Sequence, residues 1–117
     1  MAGSILSISY DRALLLTRQA LFEAAGYRVA SAYGFTDAMR LCDNGSFDLM
    51  VMGHSIPPAD KRVLIEQFRQ HCDAPVVSLL RHGEPLVDGA DYHASPDDPH
   101  ELVSTVAEIL QNGQRAA

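Results

Sequence analysis

The chain has 117 residues, 47% of them hydrophobic, which is enough for one ordinary core and too few for two domains of typical size. Fifteen acidic residues against nine basic ones give a formal charge of −6, and the absence of any Lys/Arg cluster argues against a nucleic-acid surface. No segment could span a bilayer, and the opening Met-Ala-Gly-Ser-Ile-Leu-Ser-Ile-Ser-Tyr10 lacks the basic n-region of a signal peptide.

Ile5 to Ser9 reads as a first strand. Leu14, Leu15, Leu21, Phe22 and Ala25 then mark one face of a helix that Gly26 can end in a left-handed cap. Arg28 to Ala32 is β-capable, and Thr36 is a cap candidate for a second helix that turns Ala38, Leu41 and Cys42 inward before Asp43-Asn-Gly45 breaks it. Leu49 to Met52 is short and continuously apolar, as a strand covered on both faces must be, and Gly53-His-Ser-Ile-Pro-Pro58 after it can only be turn or loop. Asp60 is a cap candidate for a third helix with Leu64, Ile65 and Phe68 on its buried side. Pro75 opens a strand over Val76 to Leu80, and Asp91 to Ala94 forms a fifth.

The clearest helix is the last one. Asp98 caps it, Pro99 takes its first position and Glu101 its third, ahead of Leu102, Val103, Val106, Ile109 and Leu110. Residues 111–117 read as a flexible tail. Five apolar strands alternating with helices imply an α/β domain, a parallel sheet doubly wound with helices on both faces, spanning residues 1–117 with its core in 5–110. Only Arg81 to Ala90 separates the fourth strand from the fifth, close to the minimum of about 10 to 12 residues for a crossover with its helix. Gly83, Pro85 and Gly89 weaken any helix there, so a fourth helix should be shortened or missing.

Cys42 and Cys72 fit no metal-ligand spacing and read as reduced, small core hydrophobes of a cytosolic protein. Arg18, Arg28, Arg40, Arg62 and Arg69 lie among acids and read as a mixed solvated surface. His54, His82 and His93 all fall near the carboxyl ends of strands, the edge where ligands bind in open α/β sheets. A transition-metal site using the three is one reading, and solvated or singly hydrogen-bonded histidines the other, because no pair has a local ligand spacing.

The order of elements from Ile5 to Leu110 resembles the receiver domain of two-component response regulators, a flavodoxin-like sheet of order 2-1-3-4-5. The matching residues are Asp48-Leu49 at the start of the third strand, Ile56-Pro57 and Asp60 after it, and Gly89-Ala90-Asp91, Tyr92 and Pro96 around the fifth. The resemblance puts Tyr92 at the place of the family's switch aromatic.

Carried over position by position, the family's chemistry is missing from this chain. The magnesium-holding acidic pair aligns with Ser9 and Tyr10, leaving Asp11 as the nearby carboxylate. The phosphoacceptor aspartate aligns with Gly53, the hydroxyl residue of the fourth strand with Leu80, and the lysine of the fifth with Ser95, while the lone lysine, Lys61, lies in another element. One carboxylate and two hydroxyls do not make the oxygen cluster a hard cation needs, and glycine supplies no nucleophile. Tyr10 has two readings open, a ring filling the space of the ion or a half-buried ring with its hydroxyl at the rim.

The expectation is therefore a degenerate, pseudo-receiver-type domain of bacterial signalling. It would be cytoplasmic, without enzymatic activity, cofactor, magnesium, nucleic acid or membrane, and it would act by binding another signalling protein or a second copy of itself. The alternatives are a regulated receiver whose non-standard site uses His54 or Asp11, and a small metal- or ligand-binding domain using His54, His82 and His93.

Overall fold

Leu49, Met50, Val51 and Met52 are all buried, so this strand is covered on both faces as its unbroken apolar run demands. In the computed structural model, which describes residues 3–116 apart from the side chains of residues 44 and 113–116, this strand is the centre of the sheet. The elements run β1 (Ser4–Ser9), α1 (Arg12–Ala24), β2 (Arg28–Tyr33), α2 (Phe35–Asn44), β3 (Leu49–Met52), α3 (Pro58–Arg69), β4 (Val76–Leu79), β5 (Tyr92–Ala94) and α4 (Pro99–Ala116). All strand pairs are parallel and the order is β2-β1-β3-β4-β5.

The period of two along each strand sorts the core into two layers. Leu49 and Val51 pack with Ile5, Val77 and Leu79, with Phe22 of α1, and with Leu102, Val106 and Ile109 of α4. Met50 and Met52 pack on the other face with Leu6 and Ile8, Ala38 and Cys42 of α2, and Leu64, Ile65 and Phe68 of α3. The doubly wound sheet expected from the alternation of elements is the observed one.

The helix ends are less regular than the strands. At α1, Asp11 caps through its carboxylate, which accepts from Leu14 N at 3.1 Å. Gly26 (φ 98°) closes the other end: its N–H donates to Glu23 O at 3.0 Å and Tyr27 N–H donates to Phe22 O at 3.1 Å, the paired bonds of a left-handed stop. Neither Thr36 nor Asp60 is a cap. α2 starts one residue before Thr36, from Gly34 at φ 87°, and α3 starts at Pro58 behind Pro57, since proline at a first helical position loses no hydrogen bond. Asp60 falls in the first turn of α3.

In α4 the carboxylate of Asp98 accepts from the N–H groups of His100 (3.0 Å) and Glu101 (3.1 Å) as expected, but the helix continues to Ala116 through most of the segment that reads as tail; Ala117 lies outside the described residues. Asp98→Ala removes the oxygen that accepts both bonds and is expected to cost about 1 kcal/mol, measurable as a lower urea midpoint at unchanged slope.

No helix forms between β4 and β5; the connection is turns around Gly83 (φ 88°) and Gly89 (φ 96°), with Val87 tucked inward and Leu86 exposed. Its far end is pinned by Asp91, whose carboxylate accepts from Val76 N and from the guanidinium of Arg69, each at 2.8 Å. Among the described residues no helix is long and apolar enough to cross a membrane.

Candidate functional site

Ser7 pairs with Val51 and Ile8 with Met52 in the β1–β3 register. With Ile5, Leu49 and Val51 facing α1 and α4, strand alternation turns Ser7, Ser9 and Gly53 to that same layer. Gly53 follows β3 directly, its N–H donating to Ile8 O at 2.8 Å. The space that a side chain would enter is taken by Arg18 of α1. A Cβ at position 53 would lie 2.9 Å from Arg18 Nη1, 3.2 Å from Ile8 O and 3.4 Å from Ser9 Oγ.

Arg18 is therefore not part of the solvated surface; it is 4% exposed, on the stripe of α1 that also carries Leu15 and Phe22. Among the described residues neither Nη finds an acceptor. Burial pulls the guanidinium pKa down, Arg81 adds to that, and Asp11 works against it. Asp11 is not close enough to form an ion pair, because its carboxylate is held at the start of α1.

Hydroxyls knit the two loops above the strand ends. Ser9 Oγ donates to Asp11 O at 2.9 Å and accepts from Asp11 N at 3.0 Å, and it lies 3.4 Å from Ser55 Oγ, which accepts from Tyr10 N at 3.0 Å. Tyr10 is half-buried and its hydroxyl donates to the Asp60 carboxylate at 2.8 Å, so it ties the β1–α1 loop to α3 while Arg18 fills the space beside Gly53. Burial and the neighbouring carboxylate hold that phenol protonated well beyond its usual range.

The remaining aligned positions do not converge with polar groups. Leu80 N–H donates to Ala94 O at 3.0 Å, and Ser95 Oγ accepts from Asp97 N at 3.2 Å within its own turn. Tyr92 is 40% exposed on β5. Lys61 belongs to α3, but its stem runs inward. It is 3% exposed, and Nζ donates to Ser78 Oγ (2.9 Å) and Leu79 O (3.0 Å) at the carboxyl end of β4. One buried cation thus reaches the strand ends from each helical layer.

Among the described residues, no three His, Cys, Asp or Glu side chains gather as metal ligands. His82 is exposed in the β4–β5 turn, and His93 Nε2 accepts from Val87 N at 3.2 Å. Both cysteines are free. Cys42 Sγ faces Leu64 O and its thiol is pushed up to about 11 by burial and Asp43, the opposite of a reactive thiolate, and Cys72 Sγ lies 3.1 Å from Phe47 O.

His54 is half-buried, and its Nδ1 is enclosed without a partner among the described residues. Burial, then Arg81 and Arg18, push the imidazole pKa below its usual 6.5, with Glu84 and Asp97 opposing. A depressed folded-state pKa means that the unfolded chain takes up the proton first. The contribution of His54 to stability is complete above about pH 6.5 and is lost as pH falls through the lower folded value. His54→Gln should flatten the acid limb of a stability–pH curve recorded by urea unfolding.

No family model matches the chain. It is 26% identical over 110 residues to the "Probable transcriptional regulator ycf27" of Cyanidium caldarium, a match taking in 88% of this chain and 43% of that protein, so the chain spans less than half of that relative's length. Among solved structures it is similar to a CheY-like response regulator receiver domain protein from Methanospirillum hungatei JF-1, with a TM-score of 0.84, 19% identity and all of both chains covered. It is also similar to the N-terminal domain of a response regulator/sensory box/GGDEF 3-domain protein from Carboxydothermus hydrogenoformans, with a TM-score of 0.81, 20% identity and coverage of 97% and 98%. With its 2-1-3-4-5 parallel sheet and four helices, the chain has the flavodoxin-like fold of response-regulator receiver domains.

Proposed function

We propose that this domain is a receiver-like signalling module that works without aspartyl phosphorylation, by contact with another protein. The observation that carries this reading is the guanidinium of Arg18 standing beside Gly53, where a receiver needs a nucleophilic carboxylate and a cluster of acids. Magnesium does not fit these residues: Ser9 and Tyr10 offer neutral hydroxyls already in hydrogen bonds, Asp11 caps α1, and a buried cation next to the site repels a second one. With no nucleophile at position 53, phosphoryl transfer has no acceptor there.

The partner surface is sought where the fold is shortest. β5 is an edge strand, and the missing helix before it leaves Tyr92 and Leu86 exposed, at 40% and 70%. This supports contact with another signalling protein or a second copy of the domain.

A second reading makes His54 the phosphate acceptor, favoured by a ring that burial, then its cationic neighbours, push toward the neutral form. One experiment addresses both: intact-mass spectrometry after incubation with phosphoramidate and magnesium. An unchanged mass is expected. A stoichiometric phosphoryl adduct would overturn the leading reading, and its stability to base or to acid would identify a histidine or an aspartate.

A further inference from the structure

We infer that the free edge of β2 is a docking surface for a second copy of this chain, the two β2 strands pairing antiparallel across a two-fold axis so that the two sheets join. This is the opposite edge of the sheet from Tyr92, and the inference is independent of how the site beside Gly53 works. β2 is six residues long with β1 as its one neighbour, whereas β5 has three. Arg28 and Gly34 donate their N–H groups to Gly3 O and Ser9 O, on the β1 side, so Val29, Ser31 and Tyr33 between them turn theirs outward. Asp37 Oδ2 accepts the one at Tyr33, at 3.2 Å; among the described residues no strand lies beside the other two. The usual protections of an edge are missing. β2 holds no proline or lysine, and its register with β1 runs from Ser4 opposite Arg28 to Ser9 opposite Tyr33 without a bulge.

The flanks of this edge are apolar and self-complementary in charge. Of the six large apolar side chains exposed among the described residues, three gather here, Leu16, Tyr33 and Phe35. Arg12, Leu16, Gln19 and Glu23 form one stripe along α1, and that stripe borders β2: the Arg12 guanidinium lies 4.9 Å over the Tyr33 ring, and Ser31 Oγ donates to Gln19 Oε1 at 2.9 Å. Arg12 therefore stands at the carboxyl end of β2 and Glu23 toward its start. A two-fold axis through Ser31 reverses one copy against the other. It brings Arg12 to Glu23 of the second copy and Arg28 toward the second copy's Asp37, each contact made twice, with Leu16 beside the second α1. This match of the edge with its own reverse is what selects a second copy over an unrelated strand.

The test is sedimentation equilibrium of the purified chain over a range of concentrations, with amide hydrogen exchange followed on the same samples. A reversible dimer is expected, and the Val29 and Ser31 amides should exchange more slowly as the dimer fills. Ser31→Pro removes an outward N–H that the β1 ladder does not use and should leave a folded monomer. Should that proline disturb the strand, Glu23→Arg reads the same interface from the exposed side of α1. Two attractive pairs become repulsive, and the dimer should weaken by about tenfold. A chain that stays monomeric up to about 1 mM would overturn the inference. So would a dimer that holds as tightly in folded Ser31→Pro or in Glu23→Arg, since its interface must then lie elsewhere, or one that leaves the exchange of Val29 and Ser31 unchanged.

Discussion

Gly53→Asp is expected to stabilise the folded domain by about 1–3 kcal/mol and to leave it unable to take a phosphoryl group. A charge-assisted hydrogen bond to a buried group contributes about 1.5–3 kcal/mol, and replacing glycine where its backbone is already compatible adds about 0.4–1 by restricting the unfolded chain. Gly53 is not in the left-handed region, so the backbone admits a side chain. The new carboxylate meets the far end of Arg18, which can yield, whereas Ile8 O at 3.2 Å from the Cβ position takes back part of the gain.

The pH dependence separates this ion pair from better packing. Beside a guanidinium the introduced carboxyl titrates below its usual value of about 3.9, so the gain is full above about pH 4 and is lost as pH falls through the lower folded value. Urea unfolding near neutral pH and in acid measures both. A loss of stability at neutral pH, or a gain that survives in acid, would show that Arg18 does not stand beside position 53. Phosphoramidate with magnesium should still add no mass, since restoring the nucleophile restores neither the metal ligands at Ser9 and Tyr10 nor a hydroxyl at Leu80.

The layout of the sheet was legible because burial on both faces leaves a mark that needs no partner to read. Leu49 to Met52 could only be a covered strand, and the short Arg81 to Ala90 connection with Gly83, Pro85 and Gly89 had no room for a helix. At the candidate site the burial of its two cations was not legible. Residue type argues strongly for exposure of Arg and Lys, and that prior hid a signal that was present. Leu15, Arg18 and Phe22 lie at i, i+3 and i+7, and Lys61, Leu64, Ile65 and Phe68 at i, i+3, i+4 and i+7, so each cation sits on an apolar stripe. A missing side chain at Gly53 was the clue that something had to fill its place. The Tyr10–Asp60 hydrogen bond, across 50 residues, depends on how the loops meet and carried no local signal, whereas Pro58 was a local signal for the α3 start that the Asp60 cap reading passed over.

Lys61 separates what a buried side chain contributes through its stem from what its charge costs. Lys61→Ala is expected to lose about 2–5 kcal/mol, because it deletes a packed stem beside Leu64, Ile65 and Phe68 and leaves Ser78 Oγ and Leu79 O without their donor. Lys61→Met keeps the stem and removes the ammonium, whose burial is costly, so it should stay within about 1.5 kcal/mol of the parent. Burial lowers the folded-state pKa of Lys61 from its usual 10.5, against a weaker pull from Glu84. The unfolded chain therefore holds the proton longer, and parental stability should rise with pH between the lowered folded value and 10.5. Tyr10, kept protonated in the fold, pulls the other way at the alkaline end. Because that pull is common to both proteins, the difference between the parent and Lys61→Met isolates the lysine. That difference should shift in favour of the parent as pH rises toward 10.5. A difference constant with pH would mean that the ammonium is solvated and that the inward path of the Lys61 stem is wrong.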